Sequence, residues 1–491
     1  MKFLHASMIV AAFMLLGRIT GFLREIVIAQ IGGASQQSDV MIVFLTFPDM
    51  MISLLLGGGL MAALVPAFRG LPGGAGFALF LRGGLLIGLI FGGLALVIAM
   101  FPSGALGIVA PGWTEDLIAQ MTPLFRITLI ALPVTAISGV VVAFLNSKER
   151  FTFGAIGTLI FNICLITALL FSVRLSPAVA VAIGILGGTT LRLVVQLSAT
   201  RRFWEAPDFT ASYDRTELLR RFAGSFGFFS ILALLPPVAR AYASLIEPGA
   251  LSMFNYAYKL MELPMAIVVT AIVTVLLPRL SGHVRSADLD QAARNLGMAL
   301  RAVGVLLLGI AIATIFQAET VVRLVFFGAP FTPEQFHALG VIVALGFIGL
   351  PFQGLVLLYG TAFVSYDRTG VLVLVSGMMV IVMASVALFL QSAWGVRGLM
   401  LAYVMAQMSG AAVLTMWLLR ITGVRPFYIA LKKPFLTILL PAFVCLALSW
   451  VFRQAGFWGL PALLLSAGAF FVIHVGADPS VLRSIMNRRK S

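Results

Sequence analysis

Two stretches decide the fold: Ala110–Phe151, APGWTEDLIAQMTPLFRITLIALPVTAISGVVVAFLNSKERF, and Ala329–Thr369, APFTPEQFHALGVIVALGFIGLPFQGLVLLYGTAFVSYDRT. The same features recur in the same order. These are an Ala-Pro pair, an acidic residue (Glu115, Glu334), a Leu-Pro step (Pro133, Pro351), an Ala-Phe pair and a terminal arginine (Arg150, Arg368). The offset is about 218 residues and spans an even number of apolar segments, so both halves run with the same topology. That is the parallel-repeat plan of many transporters, with a site where the halves meet.

Around these repeats the chain is apolar throughout. It is 61% hydrophobic and 10% charged over 491 residues, with a mean hydropathy of +1.08. A soluble domain carries roughly 25% charged residues, so the solvent for these side chains is the bilayer. Only helices and closed barrels satisfy their backbone there, and a spanning helix needs about 20 apolar residues. The apolar runs predict an all-α polytopic membrane protein of about fourteen transmembrane helices. They fall at 7–31, 38–66, 77–101, 120–146, 153–173, 178–200, 222–246, 250–278, 295–317, 336–364, 370–391, 396–420, 434–452 and 457–474. The expected organisation is two six-helix lobes, 1–215 and 216–425, then two further helices within 426–474 and a basic tail, 475–491. The N-terminal run has Arg18 where a signal-peptide cleavage site would stand, so it reads as a retained first span. Cys164 and Cys445 lie in apolar runs and read as packing residues.

Lysine and arginine alternate by loop. The loops after spans 2, 4, 6, 8, 10 and 12 and the tail hold the basic residues, among them Arg69, Lys148, Arg201, Arg202, Arg220, Arg285, Arg425 and Arg488. The opposite loops hold only Arg174, Arg323, Arg397 and Arg453. Cytoplasmic loops carry this excess, which predicts an inner-membrane protein with both termini cytoplasmic. The net charge of +15 is spread along the chain, so no nucleic-acid partner is expected.

Charges inside the spans point to a site, because one at mid-bilayer costs at least about 2.5 kcal/mol. Arg18, Arg24, Glu25, Asp39, Arg126, Arg192, Arg240, Lys259, Glu262 and Arg301 lie in or near apolar runs. Arg192 and Arg301 are close enough to a cytoplasmic end to snorkel, and Arg126 to the outer side; Asp39 also lies near the outer side but is kept as a site candidate. Arg18, Arg24 and Glu25 sit in the middle of span 1, in GRITGFLREIV. Helical geometry places Arg18 and Glu25 on one face with Arg24 beside it. That face lines either a wet cavity or a buried ion-pair network. Gly17 and Gly21 form a small-xxx-small step suited to close packing or bending. Lys259 and Glu262 repeat the theme before Pro264. A base-rich cavity suits an anionic substrate, since the arginine fork matches phosphate oxygens in pairs. A pyrophosphate-linked lipid is the natural candidate.

At these residues the chain resembles the MurJ (MviN) lipid II flippase family, within the multidrug/oligosaccharidyl-lipid/polysaccharide exporter superfamily. The resemblance rests on GRITGFLREIVIAQIGGASQQSDVMIVFLTFPDM from Gly17, IVAPGW from Ile108, FLNSKERF from Phe144, IFNICLI from Ile160, YAYKLMELP from Tyr256, VLLPRLS from Val275 and LVFFGAPFTPEQF from Leu324. It implies two lobes around a cationic cavity, a groove in the last two helices for a polyprenyl tail, and alternating access that carries lipid-linked peptidoglycan precursor to the periplasmic leaflet. The family's functional charges fall directly on Arg18, Arg24 and Asp39, and its arginine of span 8 is matched by Lys259, which keeps the charge but loses the fork; Glu25, Glu262 and Arg240 are read beside them as supporting residues. The implied partners are an undecaprenyl-diphosphate-linked glycan, membrane lipids and cell-wall synthesis proteins. No cofactor or metal is implied, and the energy source is left open, with coupling to the membrane potential or to ions as candidates. After the Phe-Pro of span 2 the family has an Arg pair and a Phe-x-Glu-Gly step, where this chain has Ile52, Ser53 and Gly57-Gly58-Gly59. A Thr-Pro after span 10 is replaced by Asp367-Arg368-Thr369-Gly370. Another polyprenyl-diphosphate glycan is therefore an alternative substrate. A membrane glycosyltransferase or ligase fits less well. Glu115, Asp116, Glu247, Glu319 and Glu334 are scattered singly, and His5, His283, His337 and His474 are isolated from one another in sequence, so they form no recognisable catalytic constellation.

Overall fold

The apolar runs become helices in the computed structural model. It describes residues 2–431 except 57–58, 72, 174, 211–215 and 217–230, together with Ala447. Among the described residues the only regular secondary structure is helical. The elements are α1 (Lys2–Gly32), α2 (Gln36–Leu56), α3 (Gly59–Gly70), α4 (Gly73–Met100), α5 (Pro102–Val109), α6 (Glu115–Leu129), α7 (Ala131–Ser147), α8 (Thr152–Leu170) and α9 (Pro177–Thr200). They continue with α10 (Leu235–Ser244), α11 (Ala250–Arg285), α12 (Leu289–Phe316), α13 (Ala318–Val325), α14 (Pro333–Ser365), α15 (Thr369–Thr422) and α16 (Arg425–Leu431). α4 shows the solvent most plainly: Leu85, Leu89 and Leu96 are each more than 60% exposed on a 28-residue helix without an acidic residue, a face made for lipid tails.

Expected spans 1–6, 8–10 and the end of span 7 are occupied by helices. Spans 11 and 12 both lie in α15, which turns at Gly395 (φ 55°, ψ −136°), a conformation open only to glycine. Span 4 is divided instead, between α6 and α7. Pro133 cannot donate to the carbonyl four residues back, and Ile130 N–H turns to the Ile127 carbonyl at 3.2 Å, tightening the turn. Two short helices, α5 and α13, occupy stretches expected to be outer loop. Spans 13 and 14, the proposed tail groove at 434–474, and Cys445 lie outside the described residues.

The duplication is visible in the helix ends. Thr114 and Thr332, 218 residues apart, both cap with the side-chain oxygen, accepting from Leu117 N–H and Gln335 N–H. At the other end Glu149 (φ 62°) and Asp367 (φ 53°) both take the left-handed conformation. Arg150 N–H then returns to the Leu145 carbonyl, and Arg368 N–H to the Phe363 carbonyl, each at 2.9 Å. This is the same C-terminal stop, used twice.

The chain forms two compact units, Met1–Asn255 and Tyr256–Ser491. In the first, α8 packs on α1 and α9, while α7 packs on α2, α3, α4 and α9. Phe68, Phe77, Phe80 and Phe144 cluster at its core, with Phe80 and Phe144 stacked at 4.6 Å. In the second, α14 packs on α12, α13 and α15.

Candidate functional site: a buried arginine network

The first unit gathers most of the expected site residues around α1. Gly17 and Gly21 let α1 lie close to α8: a side chain at Gly21 would bring its Cβ to 3.3 Å from Asn162 Nδ2. Asn162 donates to the Gly17 carbonyl at 3.1 Å, which fixes the register between the two helices. One turn further along α1, Arg24 is only 3% exposed. Its Nη1 and Nη2 donate to Asp49 Oδ1 and Oδ2 at 3.2 and 2.8 Å, a two-point fork. Nη2 also reaches Glu25 Oε1 at 2.7 Å, and Nη1 reaches Asn162 Oδ1 at 3.4 Å. The other Glu25 oxygen accepts from Asn255 Nδ2 at 2.8 Å.

Asp49 is the residue that sequence reading missed. It lies next to Pro48 inside α2 and supplies the second acid of the network. Its side chain remains 27% exposed, whereas Glu25 is 2% exposed. The pairing also changes the expected face. Arg24 and Glu25 bury together, while Arg18 is exposed and does not share the environment of Glu25. Long side chains on adjacent positions meet across the 100° between them, which a helical wheel does not show.

Asp39 is 2% exposed, and both of its oxygens are committed to backbone. Oδ2 accepts from Gly249 N–H and Oδ1 from Ser252 N–H, each at 2.7 Å. A carboxylate at the first turn of α11 satisfies amides that the helix cannot and complements its dipole. Asp39 therefore does not snorkel outward. Arg240, also buried, donates from Nη1 to Thr46 Oγ1 at 3.0 Å. In the second unit Lys259 pairs with Glu262 at 2.8 Å beside the Tyr258 ring, and Tyr258 packs edge-on to Tyr403 at 5.8 Å.

Two other expectations need correction. Arg192 was expected to snorkel, yet it is 1% exposed. It sits two turns from the end of α9, on the face it shares with Gln196, which packs against Gly157 of α8, while Leu191 and Val194 beside it are exposed. His337, far in sequence from any acid except Glu334, lies 3.0 Å from Glu319, which Arg323 also holds at 2.8 Å. The α13–α14 packing brings these three together. Burial pushes the Glu319 carboxyl up, but the hydrogen bonds and charges of His337 and Arg323 outweigh it and hold it below the ordinary carboxylate value.

The network holds an arginine fork closed on a carboxylate, on the helix whose motif carries the resemblance. The family model described as lipid II flippase MurJ matches residues 28–466. The chain belongs to this family. A probable lipid II flippase MurJ of Rhizobium meliloti is 28% identical over 81% of this chain and 77% of its own length. Another, of Thermotoga maritima, is 25% identical over 70% of this chain and 71% of its own. Among solved structures, a lipid II flippase MurJ in an inward closed conformation superimposes with a TM-score of 0.82 at 17% identity, covering 98% of this chain and all of its own. The inward-facing conformation of a multidrug resistance MATE family transporter of the MOP superfamily gives 0.70 at 10% identity, covering 86% of this chain and 98% of its own. The family is one of flippases in the bacterial inner membrane, transporters and not catalysts, so the Glu319–His337 pair is an electrostatic contact between helices.

Proposed function

We propose that this chain flips lipid II from the cytoplasmic to the periplasmic leaflet by alternating access, with Arg24 as the fork that receives the diphosphate. The supporting observation is the Arg24–Asp49 clamp. A carboxylate presents two oxygens much as a phosphate does, and Asp49 occupies the fork in the form described here. Asp49 then acts as an internal stand-in that the diphosphate displaces, and Glu25 keeps the guanidinium aimed. Arg18 and Lys259 are proposed to add positive charge for the same head group. Asp39 supports the site by anchoring the start of α11. Both termini are cytoplasmic in this reading. A cysteine placed near Gly249 should therefore label from outside the cell, and one near Ser212 should not.

A second substrate, another polyprenyl-diphosphate glycan, is favoured by one observation: Ile52 and Ser53 stand where the family has an Arg pair, so one expected patch of positive charge is missing. Rescue of a bacterium depleted of its lipid II flippase decides between the two. Growth restored by this chain supports lipid II, and failure by a chain present in the membrane at normal amount supports the other glycan. The role of Arg24 is tested separately by flipping and abundance in Arg24→Ala, Glu25→Gln and the double variant. Loss of flipping in Arg24→Ala at unchanged abundance supports the fork. Recovery in the double variant would make Arg24 a helix tie instead.

A further inference from the structure

Arg192 takes no part in the network around Arg24. Its side chain is 1% exposed, and Nε, Nη1 and Nη2 are all buried without a hydrogen-bond partner in the protein. No carboxylate among the described residues pairs with it. An arginine does not lose its proton in a protein, so a full positive charge lies inside the first unit. Even after relaxation, the penalty for one uncompensated buried ion is several kcal/mol.

The surroundings define what can compensate it. On α9, Gln196 follows Arg192 by one turn. Its Oε1 accepts from Ser138 of α7 at 2.5 Å, and its Nε2 donates to the Phe153 carbonyl at 3.2 Å. α7 and α9 run in the same direction, since each is antiparallel to α8. Val142 lies against Gly154 near the start of α8, and α8 residues Gly157, Phe161 and Leu165 meet α9 residues Arg192, Gly188 and Gly184 in descending order. One turn back from Ser138 on α7 is Thr135, and one turn back from Gln196 on α9 is Arg192. The Thr135 hydroxyl, 2% exposed, also has no partner. Gly157 of α8 walls the third side: a Cβ there would stand 3.1 Å from Arg192 Cγ and 3.2 Å from Nε.

The unused polar groups at this level are therefore the five N–H donors of a guanidinium and one hydroxyl that can turn to donate. Water could satisfy the hydrogen bonds, but it would leave the charge uncompensated. We propose that Arg192 and Thr135 form a buried site for a small inorganic anion of chloride type, held between α7, α8 and α9 as a structural counter-ion. The enclosure of the guanidinium excludes a lipid head group. The proposal stands apart from the Arg24 reading, because none of its residues touches that network.

The test uses the full chain in lipid nanodiscs, with sodium gluconate replaced by sodium bromide at constant ionic strength. Wild type should show a saturable rise in melting temperature with bromide. Arg192→Gln should lose that rise, and Thr135→Val should need more bromide for half the effect. In crystals grown in bromide, an anomalous peak should lie beside the Arg192 guanidinium. A melting temperature indifferent to bromide in wild type overturns the proposal. So does an undiminished rise in both variants, or density at Arg192 that contains only water. If Arg192→Gln does not fold, Thr135→Val and the anomalous map decide the question.

Discussion

Replacing Asp49 by Asn removes the charge that occupies the Arg24 fork while keeping its shape. Asp49 makes two hydrogen bonds to the guanidinium, at 3.2 and 2.8 Å, and its side chain is 27% exposed. A hydrogen bond to a charged partner contributes about 1.5–3 kcal/mol net and a neutral one about 1. Partial exposure places Asp49 at the low end, and Asn retains one acceptor. The stand-in is then weakened by about 1–2 kcal/mol, which corresponds to a factor of about 5–30. Arg24 keeps Glu25 at 2.7 Å and Asn162, so folding should survive. In vesicles reconstituted with the purified variant, the lipid II concentration for half-maximal flipping should fall by about that factor, with abundance unchanged. Asp49→Ala should behave similarly with some loss of stability. An Asp49→Asn protein with normal abundance and an unchanged or higher half-maximal concentration would falsify the stand-in.

Asp39→Asn replaces one oxygen that accepts from Gly249 or Ser252 by an amide that cannot. The loss of one charge-assisted bond and the opposed donors should lower stability by about 3 kcal/mol, read as reduced membrane abundance and melting temperature; normal values would return Asp39 to a purely substrate-facing role. Gly112→Ala should be poorly tolerated, because its Cβ would run into the Ser244 backbone, a clash that costs about 1–3 kcal/mol or more. Thermal inactivation of the purified variant checks it. The Glu319 contact should depend on pH. The Glu319 carboxyl is held below its unfolded value, so its contribution is present above that value and is lost as pH falls through the lowered one. Amide exchange over α13 should rise under acid in wild type and show less pH dependence in Glu319→Gln.

Much of the fold could be read from the sequence because the bilayer penalises error. A run such as Gly73–Met100 has no other stable form, and the charge alternation fixes the parity of the spans. The repeat was legible for a related reason: Thr114 and Thr332, Glu149 and Asp367 are local helix signals, written in the residues that carry them. What escaped depends on which way a helix faces. Arg192 was misplaced because distance from a helix end says nothing about whether protein or lipid lies alongside. Asp49 was passed over as part of a motif, although its meaning depends on Arg24, 25 residues away. His337 and Glu319 meet only because α13 folds against α14. α5 and α13 are too short for a hydropathy signal.

The repeated helix stop also bears on how the chain is made. At Glu149 and again at Asp367, the helix is closed by hydrogen bonds within its own last six residues. Such a terminus needs no neighbour to define it and can form as soon as those residues leave the ribosome. Each half thus carries its own punctuation, placed just after a span that ends on the basic, cytoplasmic side of the proposed topology. A nascent first half can stop its fourth span at the membrane surface before any of the second half has been synthesised.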